Sequence, residues 1–164
     1  MVKEKPARKN IFLSYAHRDG RLAMDFLDRL SSHLGAAKGV RFSVWRDHLI
    51  LPGEHWRHEI RQALEQCHFG LLLTSPSFFA SDFIREEELS HFVSSTPEQG
   101  ASGKAVPVGL VPYDFDLLDT RGLVDRQVYR RDDGLFYSEC AGNGRDRFVA
   151  QLFGLLMQLT RKYR

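Results

Sequence analysis

Short apolar runs alternate along this chain with longer stretches in which apolar residues recur every three or four positions. Residues 10–15, NIFLSY, are a run of β-formers ended by polar AHRDG, the pattern of a strand buried on both faces. Leu22, Phe26, Leu27, Leu30 and Leu34 then share one helical face, and Gly35 stands where the glycine just past a helix end belongs. Residues 40–45 predict a second strand, and the RDHLILPGEH that follows, broken by Pro52-Gly53, predicts a long loop. Trp56, Ile60, Ala63, Leu64 and Cys67 mark a second helix, with residues 69–73 directly behind it as a third buried strand. Ser75-Pro76 has the form of an N-cap followed by proline at the first helical position, and Ser81 is placed to cap another helix carrying Phe83, Ile84, Leu89 and Phe92. Residues 94–104 predict a flexible surface loop, 105–111 a fourth strand, and 124–129 a fifth, weaker one. Phe148, Leu152, Leu155, Leu156, Leu159 and Tyr163 lay a broad apolar stripe along a terminal helix.

Strands and helices in this alternation predict an α/β fold with a central, mostly parallel five-stranded sheet covered on both faces. Ligands of such sheets bind outside the carboxyl ends of the strands, which here means the loops after Tyr15, Trp45, Ser75 and Leu110. Residues 1–9 are expected to form a flexible N-terminal segment and 10–164 a single domain, one that could stand at the front of a longer protein.

Composition narrows the function classes. The chain has 164 residues, 43% of them apolar and 27% charged, so it can bury a core and is not disordered. Its formal net charge is +2, with bases and acids interleaved rather than gathered in a stripe, which argues against a nucleic-acid binder. Cys67 and Cys140 are too few for a disulfide scaffold and lack zinc-site spacing; both are expected as reduced thiols, Cys67 in the core. MVKEKPARKN precedes no signal-like apolar stretch and no run is of membrane length, so a cytoplasmic protein without membrane attachment is expected. There is no Walker sequence, GxGxxG, HExxH or GxSxG. His55 and His58 sit at i, i+3 without a third ligand, and no metal is expected.

Three segments, in register and in order, resemble the Toll/interleukin-1 receptor (TIR) domain family. IFLSYAHRD is similar to the family's first box, an apolar strand running into Ser-Tyr and a polar turn. VWRDHLILPGEHW resembles the second strand and the so-called BB loop with its Pro-Gly. LLLTSPSFFASDFIREEELSHF is similar to the third strand, the Ser-Pro turn and the helix that carries the catalytic glutamate in NAD⁺-cleaving members. VPYDFDLLDTRGLVDRQVYRR resembles, more loosely, TIR domains at the front of large bacterial defence proteins. The resemblance implies a flavodoxin-like three-layer sandwich. It also implies NAD⁺ as a substrate rather than a cofactor, other TIR domains as partners through homo-oligomerisation, and fused sensor or effector domains.

The resemblance places the catalytic glutamate at Glu88, directly before Leu89. One extra acid stands between Phe83-Ile84, where many members have Trp-Cys, and that Glu-Leu pair, which keeps Glu87 as the alternative. Cleavage of the nicotinamide–ribose bond passes through an oxocarbenium-like state, so a carboxylate near the ribose, a stacking surface and exclusion of water are what such a site needs. Tyr15 and Arg18 at the first strand's end are candidates to stack on a base and meet the pyrophosphate, Asp47 to hold a ribose hydroxyl, and Trp45 and Phe83 to line the pocket. Each has an ordinary alternative: a solvated turn capping the first helix for Arg18 and Asp19, core packing for Trp45 and Phe83, a solvated acidic helix start for the glutamates. Leu49, Ile50, Leu51, Pro52 and Gly53 form an apolar loop expected either to fold back on its own domain or to dock on a neighbouring copy. Two functions follow: NAD⁺ hydrolysis or cyclisation on assembly, serving antiphage defence or immune signalling, or a non-catalytic adaptor that only recruits other TIR domains.

Overall fold

The computed structural model describes residues 4–46, 56–81, 84, 105–123 and 127–162, without the side chains of Trp56 and Arg57. Four strands, β1 (Ala7–Ser14), β2 (Val40–Trp45), β3 (Phe69–Thr74) and β4 (Ala105–Gly109), form one parallel sheet in the order β2-β1-β3-β4. Helices α1 (Gly20–Gly35), α2 (Trp56–Gln66), α3 (Pro76–Ala80) and α4 (Asn143–Lys162) flank it.

The parity of each strand decides what it buries, because successive side chains point to opposite faces. Ile11 and Leu13 of β1, Leu71 and Leu73 of β3, and Val106 and Val108 of β4 join Phe26, Leu30, Phe148 and Leu152 in a core under α1 and α4. Phe12 and Leu72 turn the other way, onto Ile60 and Leu64 of α2 and Phe78 and Phe79 of α3. All six residues of β3 are buried, as its uninterrupted apolar run requires, whereas edge strand β2 alternates half-buried and exposed positions.

Several boundaries differ from expectation. β1 starts at Ala7 rather than residue 10, since Ala7, Arg8 and Lys9 already pair with Val40, Arg41 and Phe42. Gly35 is the last helical residue of α1, and the left-handed glycine is Gly39, at φ +78°, where the chain turns into β2. β4 stops at Gly109 because the amides of Leu110 and Val111 both donate to the Thr74 carbonyl and draw the chain toward β3. The expected fifth strand shrinks, among the described residues, to a single parallel bridge between Val108 and Tyr129, with Tyr129 donating to Pro107 (2.7 Å) and accepting from Gly109 (2.8 Å). Arg131 beyond it donates to Leu135 in a turn instead of extending the ladder. The helix expected after Ser81, the loop at 94–104 and residues 124–126 lie outside the described residues, apart from Ile84, which is buried and whose amide donates to Ser81 Oγ at 3.4 Å. Among the described residues no helix is long and apolar enough to cross a membrane.

A network of charge holds α1 to α4. The Tyr137 hydroxyl donates to Asp25, which also accepts from Arg145 at 3.0 Å and from Arg29 at 3.3 Å, and Arg29 reaches Asp146 at 2.5 Å. The Tyr137 hydrogen bond, with the two arginines, holds the Asp25 carboxyl below its ordinary range against partial burial.

Candidate functional site

The strand order reverses direction between β1 and β3, the switch point outside whose carboxyl ends sheets of this kind form their ligand crevice. β1 ends in a short 3-10 turn, His17–Asp19, and β3 ends at the Ser75-Pro76 start of α3. Proline at the start of a helix loses no internal hydrogen bond, and Ser75 Oγ accepts from the Phe78 amide at 3.0 Å as the N-cap. The same hydroxyl donates to Asp19 Oδ2 at 2.5 Å, across the crevice. Asp19 occupies the N-cap position of α1 yet makes no capping bond there, because its carboxylate is turned toward Ser75. The capping role considered for Asp19 is thereby replaced by a tie between two loops.

Beside this tie, the Tyr113 hydroxyl donates to Thr74 Oγ1 at 3.0 Å, and Thr74 Oγ1 donates to the Val108 carbonyl at 2.9 Å. The Tyr113 ring meets Phe79 edge-on (centroids 5.1 Å apart), Phe115 at 4.7 Å and Phe136 at 5.5 Å, and the Arg130 guanidinium lies 5.5 Å from the Phe115 and Phe136 ring centres. Residues 112–116 line an open depression of about 540 Å³ at this end of the sheet. Its lining combines the half-buried rings of Tyr113 and Phe115 with the exposed carboxylates of Asp114 and Asp116.

Of the expected site residues, three are described. Arg18 is exposed in the 3-10 turn, free of the core as a ligand-contacting or solvated group must be. Tyr15 is half-buried and packs on the α1/α4 core. Trp45 is half-buried too, but stacks on Phe12 (centroids 4.8 Å apart, planes 16° apart) on the α2/α3 side. The two aromatics thus serve opposite faces of the sheet, and the structure does not bring them together. Packing, the ordinary alternative for Trp45, is what its ring does with Phe12. Cys67 and Cys140 are both buried thiols outside any disulfide, Cys67 donating to the Leu64 carbonyl at 3.1 Å. Asp47, Leu49, Ile50, Leu51, Pro52, Gly53, Phe83, Glu87 and Glu88 lie outside the described residues.

Sequence reasoning pointed to the loops after Ser75 and Leu110 but missed Thr74 and Tyr113. An aromatic shortly after a strand's carboxyl end was the available signal; its bond to Thr74 depends on the pairing of β3 with β4.

The profile of the family described as TIR domain matches residues 11–135 of the chain. A search of curated proteins gives no match.

Proposed function

The chain belongs to the TIR domain family, and from that premise we propose that it cleaves NAD⁺ at the nicotinamide–ribose bond when copies of it assemble. In the proposed reaction the C1′–N bond breaks with its electron pair leaving on nicotinamide, and water or a nucleophilic atom of the same molecule adds to the oxocarbenium-like ribose. Glu88 supplies the carboxylate that stabilises this cation, with Glu87 as the alternative. Tyr15, Arg18, Asp47 and Phe83 contact the dinucleotide, and Leu49 to Gly53 form the loop through which one copy docks on the next. A cytoplasmic setting and a role in defence or immune signalling belong to the same proposal.

The observation that supports this reading is the Ser75–Asp19 hydrogen bond. It fastens the turn bearing Arg18 to the Ser-Pro turn at the end of β3, so these two turns belong to one end of the sheet; Glu87 and Glu88 follow the second turn in the sequence. The adaptor reading shares the fold but needs no glutamate.

Nicotinamide release from NAD⁺, followed over a dilution series with light scattering on the same samples, tests it. Specific activity is expected to rise with protein concentration. Glu88→Ala is expected to lower the rate by about 10²- to 10⁴-fold without unfolding the chain, the usual contribution of a positioned acid or base, while Glu87→Ala is mild. A dead Glu87→Ala beside an active Glu88→Ala moves the catalytic role back by one residue. No release at any concentration leaves the adaptor function.

A further inference from the structure

A cleft of about 240 Å³ opens between the β1–β2 edge of the sheet and α2. It is lined by Trp45, Ala63 and Cys67 together with Asn10, Ser43 and Gln66. One wall is fixed by Asn10 Nδ2, which donates to the Gln66 carbonyl at 3.2 Å. Parallel pairing sets Phe12 beside Trp45 and Asn10 beside Ser43, and one row earlier it sets Arg8 beside Arg41. Side chains two residues apart on a strand share a face, so both exposed arginines stand on the cleft's side of the sheet, just beyond the Asn10 and Ser43 that line it.

Like charges side by side across a strand pair repel, so this arrangement calls for a reason. A single charge on an edge strand deters unwanted pairing, which accounts for Arg41 on β2. Arg8 lies on β1, whose flank toward β2 is already occupied. Among the described residues, neither guanidinium is paired with a carboxylate. Two adjacent planar forks suit the oxygens of a phosphate group.

We propose that this cleft binds a nucleoside monophosphate, with the base against Trp45 and Ala63 and the phosphate held by Arg8 and Arg41. Spacing selects the ligand class. Arg41 precedes Trp45 by four residues, ~13 Å of strand, so ring and anion must be joined by a spacer the size of a sugar; a simple aryl carboxylate is too short. The cleft is smaller than the roughly 300–1,000 Å³ of drug-sized sites, which suits one base and leaves no room for a dinucleotide. The exposed side chains of Ser43 and Gln66 bring hydroxyl and amide groups to the base edge. The proposal does not depend on NAD⁺ cleavage.

Calorimetric titration of the full chain with 5′-AMP, adenosine and inorganic phosphate tests it. AMP is expected to fill one site per chain, with adenosine and phosphate each weaker by about tenfold or more, as loss of charge-assisted bonds or of the stacked base requires. Arg8→Gln and Arg41→Gln are each expected to weaken AMP by about tenfold or more and leave adenosine unchanged. Ala63→Leu, which fills the cleft, abolishes binding of AMP. The exposed arginine variants keep the wild-type melting midpoint, so they decide the matter even if Ala63→Leu folds poorly. Phosphate binding as tightly as AMP and indifferent to Ala63→Leu would reveal a bare anion patch and overturn the site. So would the absence of AMP binding, or AMP binding untouched by both arginine variants, which would locate the nucleotide elsewhere. Nicotinamide release is unchanged in the arginine variants if the chain cleaves NAD⁺, and its absence in the wild type would leave this test standing.

Discussion

On the α1/α4 face of the sheet, long helices of sixteen and twenty residues cover a continuous apolar core. Its edge is sealed by the Asp25–Tyr137–Arg145 network. On the α2/α3 face, helices of eleven and five residues cover a smaller described core. There Trp45 is only half-buried and a cleft stays open beside it. The same strands feed both faces, so the difference lies in what covers them. Among the described residues, the first face carries the longer helices and the paired charges, and the second the open cleft. A fold of this kind can confine its stability to one face and its chemistry to the other face and the rim.

The sharpest way to break that comparison is to hollow out the supporting face. Phe148 is fully buried between Tyr129 and Tyr137, and Phe148→Ala is expected to cost about 3–5 kcal/mol in urea unfolding. Trp45→Ala, at a half-buried position, should cost clearly less. Equal losses would mean that the two faces share the load.

A smaller effect is expected where the rim meets the sheet. A Cβ on Gly109 would come within 2.7 Å of the Phe136 ring, so Gly109→Ala should cost about 1–3 kcal/mol through overpacking. Gly154 on α4 has nothing within 4 Å of such a Cβ, and Gly154→Ala should be neutral or stabilising. Thermal unfolding of the pair measures the contrast, and a destabilised Gly154→Ala would upset it.

Ser75 separates stability from function more finely. Ser75→Ala removes the cap of α3 and the partner of Asp19, and the loss of a cap costs about 0.5–2 kcal/mol. If the tie positions the crevice, nicotinamide release falls by more than this loss of stability explains, and Asp19→Asn, which retains an acceptor oxygen, is milder. Release tracking stability alone in both variants would make the tie merely structural.

The smallest expected effect is a titration. Burial, with Asp132 nearby, pushes the Tyr129 hydroxyl up to about 12, and the group donates to the Phe148 carbonyl at 2.9 Å. The unfolded chain releases this proton near pH ~10 while the native state keeps it, so stability is expected to fall as pH rises from about 10 to about 12. Tyr129→Phe should flatten that decline, and an unchanged alkaline slope would exclude Tyr129 as its source. Asp25 has the opposite sense. Its folded value is lowered, so its contribution is present above the ordinary carboxylate range near pH ~4 and is lost as the pH falls below it.

The four strands and the helices around them were legible in the sequence because their signals are local. The run at 69–73 is apolar at every position and β3 is buried throughout; the spacing of Phe26, Leu27, Leu30 and Leu34 gave the buried face of α1. The Ser75-Pro76 cap was equally readable, since it joins residues three apart. The expected fifth strand was less legible because its strength depends on partners far away in the chain; of its described residues, 127–129, Tyr129 makes a single bridge to Val108. At the site, periodicity marked the strand ends but could not assign Tyr15 and Trp45 to opposite faces.

What the sequence by itself determined was the kind and order of the described elements and the family to which its motifs belong. Periodicity, capping and turn chemistry act over a few residues and survive without the fold. Only the tertiary structure decided which distant groups meet. Asp19 reaches Ser75 across 56 residues of chain, and Tyr137 reaches Asp25 across 112. Arg8 stands beside Arg41 because a parallel pairing chose that register. A register is fixed by the packing of whole strands and helices against one another, and a slip of one residue would turn every side chain of a strand to the other face.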